Sequence, residues 1–215
     1  FAEAPVSELL SAEYARRRAA LIDMKRAART VDPGDPRLIE GDTTYLATAD
    51  ASGMMVSLIQ SNYTGFGSGY VVPELGFGLQ DRGGLFSLDP SHPNALEPGK
   101  RPFHTIIPAF LAEHGTPNLA FGVMGGDMQP QGHVQIVVNL VDLGMNLQEA
   151  GDAPRFRHTG SQEPTGTKMT DGGVVYLESG VAFEVRRELL RRGHRLQEAS
   201  GSAFGGYQAI RRDPV

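Results

Sequence analysis

The chain has no cysteine among its 215 residues. That absence excludes a disulfide framework, a thiolate zinc site and a cysteine nucleophile, and it leaves the redox compartment open. Charge of either sign is scarce in excess. Lys and Arg total 20 against 25 Asp and Glu, a net charge of -5 with no long basic run, so neither a nucleic acid nor an anionic membrane surface is expected as the main partner. No apolar run approaches the length of a membrane span. The first residues, Phe1 to Pro5, have neither an initiator Met nor a signal-peptide pattern, which reads as a fragment or a processed product, with cytoplasmic and periplasmic placement both open. The six histidines are scattered without His-x-His or His-Glu-x-x-His spacing, so no metal is expected. The loop Gly65-Phe-Gly-Ser-Gly69 carries neither a dinucleotide fingerprint nor a P-loop, and no cofactor is implied. A Gly-x-Ser-x-Gly elbow is missing too.

What is present is a 40% hydrophobic composition, enough for a core, and 27 glycines gathered at 65 to 84, 122 to 132 and 201 to 206. The spacing of Leu9, Leu10, Tyr14, Ala20, Leu21 and Met24 predicts one or two helices over residues 7 to 30, with Ser7 as N-cap. Residues 31 to 42, with Pro33 and Pro36, have linker composition. From Thr43 the pattern turns to β: strands 43 to 49 and 54 to 62 around the turn Asp50-Ala-Ser-Gly53, then strands 103 to 112 and 119 to 123 about a turn at 114 to 117. Residues 86 to 102 read as a long polar loop. Helices are expected at 133 to 143, 146 to 153 and 181 to 192, and further strands at 174 to 177 and 207 to 211. Strands on both sides of paired helices suggest an α+β arrangement, sheet packed on sheet with helices outside.

Thr43-Thr44 at the mouth of the first strand is the stretch from which chemistry can be read. A Thr-Thr pair is ordinarily explained by strand preference alone. With cysteine, metal and serine-elbow chemistry set aside, threonine is the remaining nucleophile candidate. Its hydroxyl is too weakly acidic to attack an amide unaided, but a free α-amine on the same residue, with a reference pKa of about 7.7 to 8, serves as its base. That requires the Asp42-Thr43 bond to be cut.

The motifs "TTYLATAD" from Thr43, Gly53, "FGSG" at 66 to 69, "GKRP" at 99 to 102, Gly125-Gly126 and "APRF" at 153 to 156 stand in the order and spacing of the small subunit of γ-glutamyltranspeptidases. The chain resembles that family of N-terminal-nucleophile hydrolases over nearly its whole length. The resemblance implies an αββα four-layer sandwich, of which residues 43 to 215 would be the small catalytic subunit and residues 1 to 42 the C-terminal tail of the large subunit. It implies cleavage of γ-glutamyl-type, glutathione-like amide bonds with transfer to water or an amine, self-cleavage between Asp42 and Thr43, Thr43 as the mature nucleophile, Ser61 as the hydroxyl that orients it, and the amides of Gly125 and Gly126 as the oxyanion hole. Thr44 would be structural. The implied partners are a small-molecule amide substrate, the rest of the same precursor, and, as a further arrangement, an oligomer of such heterodimers.

The substrate-binding positions depart from the family pattern. The asparagine position falls on Tyr63, with Asn62 one residue out of register. Asp81 to Phe86 places Arg82 where glutamine is expected and Leu85 where aspartate is expected, and the paired serines fall on His104 and Thr105. An arginine repels an ammonium and offers a forked donor to a carboxylate. The sequence is thus closer to divergent relatives that act as cephalosporin or glutaryl acylases or as small-amide hydrolases. A homologue that folds without cleaving itself is the reading of another class.

Overall fold

The computed structural model describes residues 6–30, 41–160, 164–166, 169–199 and 201–212, with only the backbone of 41 and 42. Most of the expected linker, 31–40, lies outside the described residues. The expected N-terminal helix is shorter than its apolar spacing suggested. It comprises α1 (Val6–Leu9) and α2 (Ala12–Ala19), and the cap is Ser11, not Ser7: Ser11 Oγ accepts the Tyr14 N–H at 3.0 Å. Residues 20 to 30 run on as turns, and Asp23 competes with helix by accepting the Lys25 N–H on its own side chain at 2.7 Å.

Strands β1 (Gly41–Ala49) and β2 (Met55–Thr64) form the expected antiparallel hairpin. Asp50 Oδ1 accepts the N–H groups of Ser52 and Met54, and Gly53 takes φ 85°, so the turn's own side chain closes it. A short hairpin follows, β3 (Val71–Val72) with β4 (Phe77–Gly78), for which the sequence carries no expectation.

The central sheet contains β5 (Ala109–Glu113) and β6 (Thr116–Val123), with β10 (Tyr207–Arg211) on the other side of β6, all antiparallel. His114 and Gly115, at φ 50° and 82°, make a two-residue turn whose twist suits a hairpin, so β6 begins at Thr116 rather than 119. Residues 103 to 108, expected as strand, carry no ladder; Pro102 and Pro108 at either end have no N–H to give one.

Helix α3 (Met128–Val141) packs on one face of this sheet, with Leu119, Phe121, Val123 and Ile136 at the centre of the core. It starts five residues before the expected onset because Pro130 falls in the first turn, where its missing N–H costs nothing. Gly132 lies where a Cβ would stand 2.7 Å from Val123 Cγ1, so the close helix–strand approach requires glycine. Helix α4 (Leu147–Asp152) follows, opened by a capping box between Asn146 and Glu149.

The β1–β2 hairpin covers the opposite face of the sheet. Tyr45 lies flat on Gly122, where any Cβ would stand 2.4 Å from the ring. Helices, sheet and hairpin thus make three layers. A second sheet adjoins α3: β7 (Phe156–Thr159), β8 (Val174–Leu177) and β9 (Leu196–Glu198), in the order β7-β8-β9. Strands β8 and β9 are parallel, joined by α5 (Phe183–Arg191) as a β-α-β crossover.

Candidate active site

The pairing of β1 with β2 is regular up to Thr43, which stands opposite Ser61. The next pair is Asp42 with Tyr63, so Asn62 is one residue too many, a bulge facing the Asp42–Thr43 peptide. Cross-strand partners project to the same side of a sheet. Accordingly Thr43 Oγ1 and Ser61 Oγ lie 3.0 Å apart, half-buried, hydroxyl to hydroxyl. Thr44, one residue on, is exposed on the other face opposite Gln60.

The bulge also turns the chain sharply. Tyr63, 6% exposed, has φ 80°, a left-handed conformation rare for a bulky side chain. The reversal brings its own N–H back onto Ser61 Oγ at 2.9 Å. Arg82, 3% exposed in the short 3₁₀ turn Arg82–Leu85, completes the cluster. Its Nη2 donates to Ser61 Oγ and its Nη1 to the Ser61 carbonyl, both at 3.0 Å, and the guanidinium stacks over the Tyr63 ring at 5.1 Å. Burial lowers its pKa, and Tyr63, Asp81 and Asp127 oppose that fall.

Gly125 and Gly126 join β6 to α3 at φ 121° and 57°. Their carbonyls accept the N–H groups of Met128 and Gln129 and start the helix, and among the described residues neither glycine N–H has an acceptor. Gly205 packs behind them at φ 67°: a Cβ there would overlap the Met124 carbonyl, and one on Gly125 would stand 3.1 Å from Gly205 Cα. Two glycine loops therefore meet back to back.

The remaining expected residues divide. Asp81 spends both carboxylate oxygens on Thr64, one on its N–H at 3.2 Å and one on its hydroxyl, and its own N–H donates to the Asn62 carbonyl. Arg82 was expected to hold its fork out to a substrate carboxylate; the fork is turned inward on Ser61. Thr105 is buried, with no hydrogen-bond partner for Oγ1 among the described residues, while His104 beside it is exposed. Leu85 is half-buried and offers no charge. No group of three or more His, Asp or Glu side chains suited to a metal occurs among the described residues. A groove of about 1070 Å³ between residues 18 to 30 and α5 includes none of these positions. The bulge, the turned Tyr63 and the Gly205 loop were not read from the sequence; only the glycines at 201 to 206 signalled close backbone approach.

Against known proteins, a family model described as Gamma-glutamyltranspeptidase matches residues 1–215. The chain is 41% identical over 192 residues to the glutathione hydrolase-like YwrD proenzyme of Bacillus subtilis, covering 86% of this chain and 36% of that protein. It is 33% identical over 217 residues to the acylase ACY 1 proenzyme of Pseudomonas sp. strain SE83, covering 100% of this chain and 36% of that one. Among solved structures, a cephalosporin acylase from Bacillus halodurans superposes with a TM-score of 0.80 at 48% identity over 99% of this chain and 36% of that chain. The chain therefore spans about a third of the length of these relatives.

Proposed function

This chain belongs to the γ-glutamyltranspeptidase family, and from that premise we propose that it is the catalytic portion of an autoprocessing amidohydrolase whose nucleophile is Thr43. The observation that carries the reading is the 3.0 Å contact of the Thr43 and Ser61 hydroxyls, one bond from the expected cleavage site and opposite a bulge. In this reading residues 1 to 42 end the large subunit, residues 43 to 215 form the small one, and the rest of the precursor completes a four-layer αββα sandwich.

The chemistry runs twice through the same oxygen. Thr43 Oγ first attacks the Asp42 carbonyl carbon; the C–N bond breaks, which frees the Thr43 amine and leaves an ester on Oγ, and water hydrolyses that ester to the Asp42 carboxylate and the restored hydroxyl. In turnover Oγ attacks the substrate amide carbon while the new α-amine takes its proton, and the Gly125 and Gly126 N–H groups face the oxyanion. The amine passes the proton to the leaving nitrogen, and water or an acceptor amine then cleaves the acyl ester. Arg82 and Leu85 leave an ammonium without an acidic partner at either position, which favours acyl groups that lack one.

Thr43→Ala in the full-length precursor is expected to abolish both self-cleavage and amide hydrolysis, since one hydroxyl serves both. A denaturing gel and a mass spectrum of wild type should show two fragments parting at Asp42–Thr43. A wild-type chain that stays whole after long incubation would support a non-catalytic homologue instead, and a Thr43→Ala protein that matured would move the nucleophile elsewhere.

A further inference from the structure

Ser61 Oγ receives more donors than a hydroxyl can serve. A hydroxyl has two lone pairs and one proton. The Tyr63 N–H at 2.9 Å and the Arg82 Nη2 at 3.0 Å can only donate, so together they occupy both lone pairs. Thr43 Oγ1, 3.0 Å away, is aimed as a donor at the same oxygen, so three groups converge on it.

We propose that Arg82 is a positioning residue which, with the Tyr63 amide, pins Ser61 Oγ in place opposite Thr43 Oγ1 and so fixes the oxygen that attacks. The inference rests on the Thr43 reading above and deepens it. With Ser61 pinned, the Thr43 hydroxyl meets a partner that cannot rotate away, and the oxygen that attacks is oriented.

The molecule maintains this arrangement at a cost. A left-handed Tyr63 carries backbone strain. The Arg82 guanidinium is almost wholly withdrawn from water, and its Nε has no hydrogen-bond partner among the described residues. Its fork clasps two atoms of one residue, the carbonyl and the hydroxyl of Ser61, which fixes the serine's rotamer as a single-point cation could not. Nη1 and Nη2 each direct a hydrogen to Ser61, so the fork is turned to the serine and not outward to a substrate carboxylate. Asp127, which stands between Gly126 and the first residue of α3, is one of the charges that sustain the Arg82 cation, so the support of Thr43 and the glycine loop meet at this side chain.

Self-cleavage provides the test, because no acyl substrate binds in that step. Full-length precursors carrying Arg82→Gln, Arg82→Lys or Thr43→Ala are followed by mass spectrometry for maturation and by thermal melting for folding. Matured protein is then assayed for kcat and KM on a glutaryl anilide and on an uncharged butyryl anilide. Arg82→Gln is expected to slow maturation by about tenfold to a thousandfold and to lower kcat comparably on both anilides, with KM within about twofold of wild type. Arg82→Lys should recover part of the rate, since one ammonium can reach Oγ but cannot fork. Normal maturation of Arg82→Gln with a loss confined to KM for the glutaryl anilide would overturn the proposal and make Arg82 a substrate reader. Loss of the folded transition in both Arg82 variants would overturn it in favour of a purely structural cation. If Thr43→Ala is inert while Arg82→Gln behaves as wild type, only the role of Arg82 falls; if Thr43→Ala matures, the nucleophile assignment itself is wrong.

Discussion

His133 is buried in α3 with Nε2 accepting the Val123 N–H at 3.1 Å, and its ring lies 5.0 Å from that of Phe121. Only the neutral imidazole can accept there, and burial lowers its pKa from 6.5 to about 4. The unfolded chain therefore takes up a proton at a higher pH than the folded one. The stability this residue contributes is complete above pH 6.5 and is lost as pH falls towards 4, roughly 3 kcal/mol in all. His133→Gln retains an acceptor that does not titrate, so its melting temperature should decline less than wild type between pH 6.5 and 4; equal slopes would show that His133 is not the group responsible. Since β6 leads from Val123 directly into the glycine loop, the same titration should loosen that loop. Gly205→Ala acts on that loop from behind, through an unfavourable φ and a clash with the Met124 carbonyl, and is expected to lower kcat at least tenfold with KM less affected. Ser61→Ala should slow acylation by about ten- to a thousandfold. Thr43 and Ser61 were implied by the family resemblance, and the hairpin's register, with Thr43 opposite Ser61, accounts for their approach. The inward Arg82 could not be read from the sequence, because it depends on a bulge and a left-handed tyrosine that no local propensity predicts.

At the scale of elements, α3 carries an amide stripe at i, i+4 and i+8. Gln131 donates to the His158 carbonyl and accepts the His158 N–H, and Gln135 does the same for Phe156, so two side chains stand in for a neighbouring strand along the free edge of β7. Asn139 extends the stripe to the Ala150 carbonyl of α4. Replacing Gln131 with Leu leaves the backbone groups of His158 without partners, at a cost of about 1–3 kcal/mol. Hydrogen exchange should then show the His158 amide losing protection before the central sheet does; unchanged protection would mean that β7 is held by β8 alone. Strand β7 was missed in the sequence for this reason: with four residues and one ladder, its signal lies in a helix elsewhere in the chain. Strand β9, three residues long, is set by the parallel crossover and not by its own pattern. The hairpin, α4, β8 and β10 were legible because caps, turns and alternation are local. The onset of α3 was hidden by Pro130 and Gly132, which read as breakers until the first turn and the Val123 contact account for them.

At the scale of the whole molecule, substrate choice depends on what surrounds the Thr43 cluster as well as on the cluster itself. The outer face of the hairpin, Leu46, Val56 and Leu58, is 41–44% exposed, which suits a further layer contributed by the rest of the precursor. What this chain contributes to acyl recognition is chiefly a matter of charge. A γ-glutamyl group bears an ammonium and a carboxylate on one carbon, and burying the ammonium without a partner costs at least a few kcal/mol. Asp81 is committed to Thr64, Leu85 has no charge, and the nearest fixed charge beneath the nucleophile is the Arg82 cation. A glutaryl group keeps the carboxylate and avoids the penalty. The kcat/KM for a glutaryl anilide is therefore expected to equal or exceed that for the γ-glutamyl anilide in parallel assays of the matured full-length enzyme. Leu85→Asp would supply the missing anion and should shift the ratio towards γ-glutamyl by about tenfold or more, the effect of one well-placed charge pair. The relatives do not decide the matter by name, since one is glutathione hydrolase-like and others are acylases. A strong wild-type preference for γ-glutamyl would mean that a residue outside this chain provides the ammonium's partner, and Leu85→Asp would then leave the ratio unchanged.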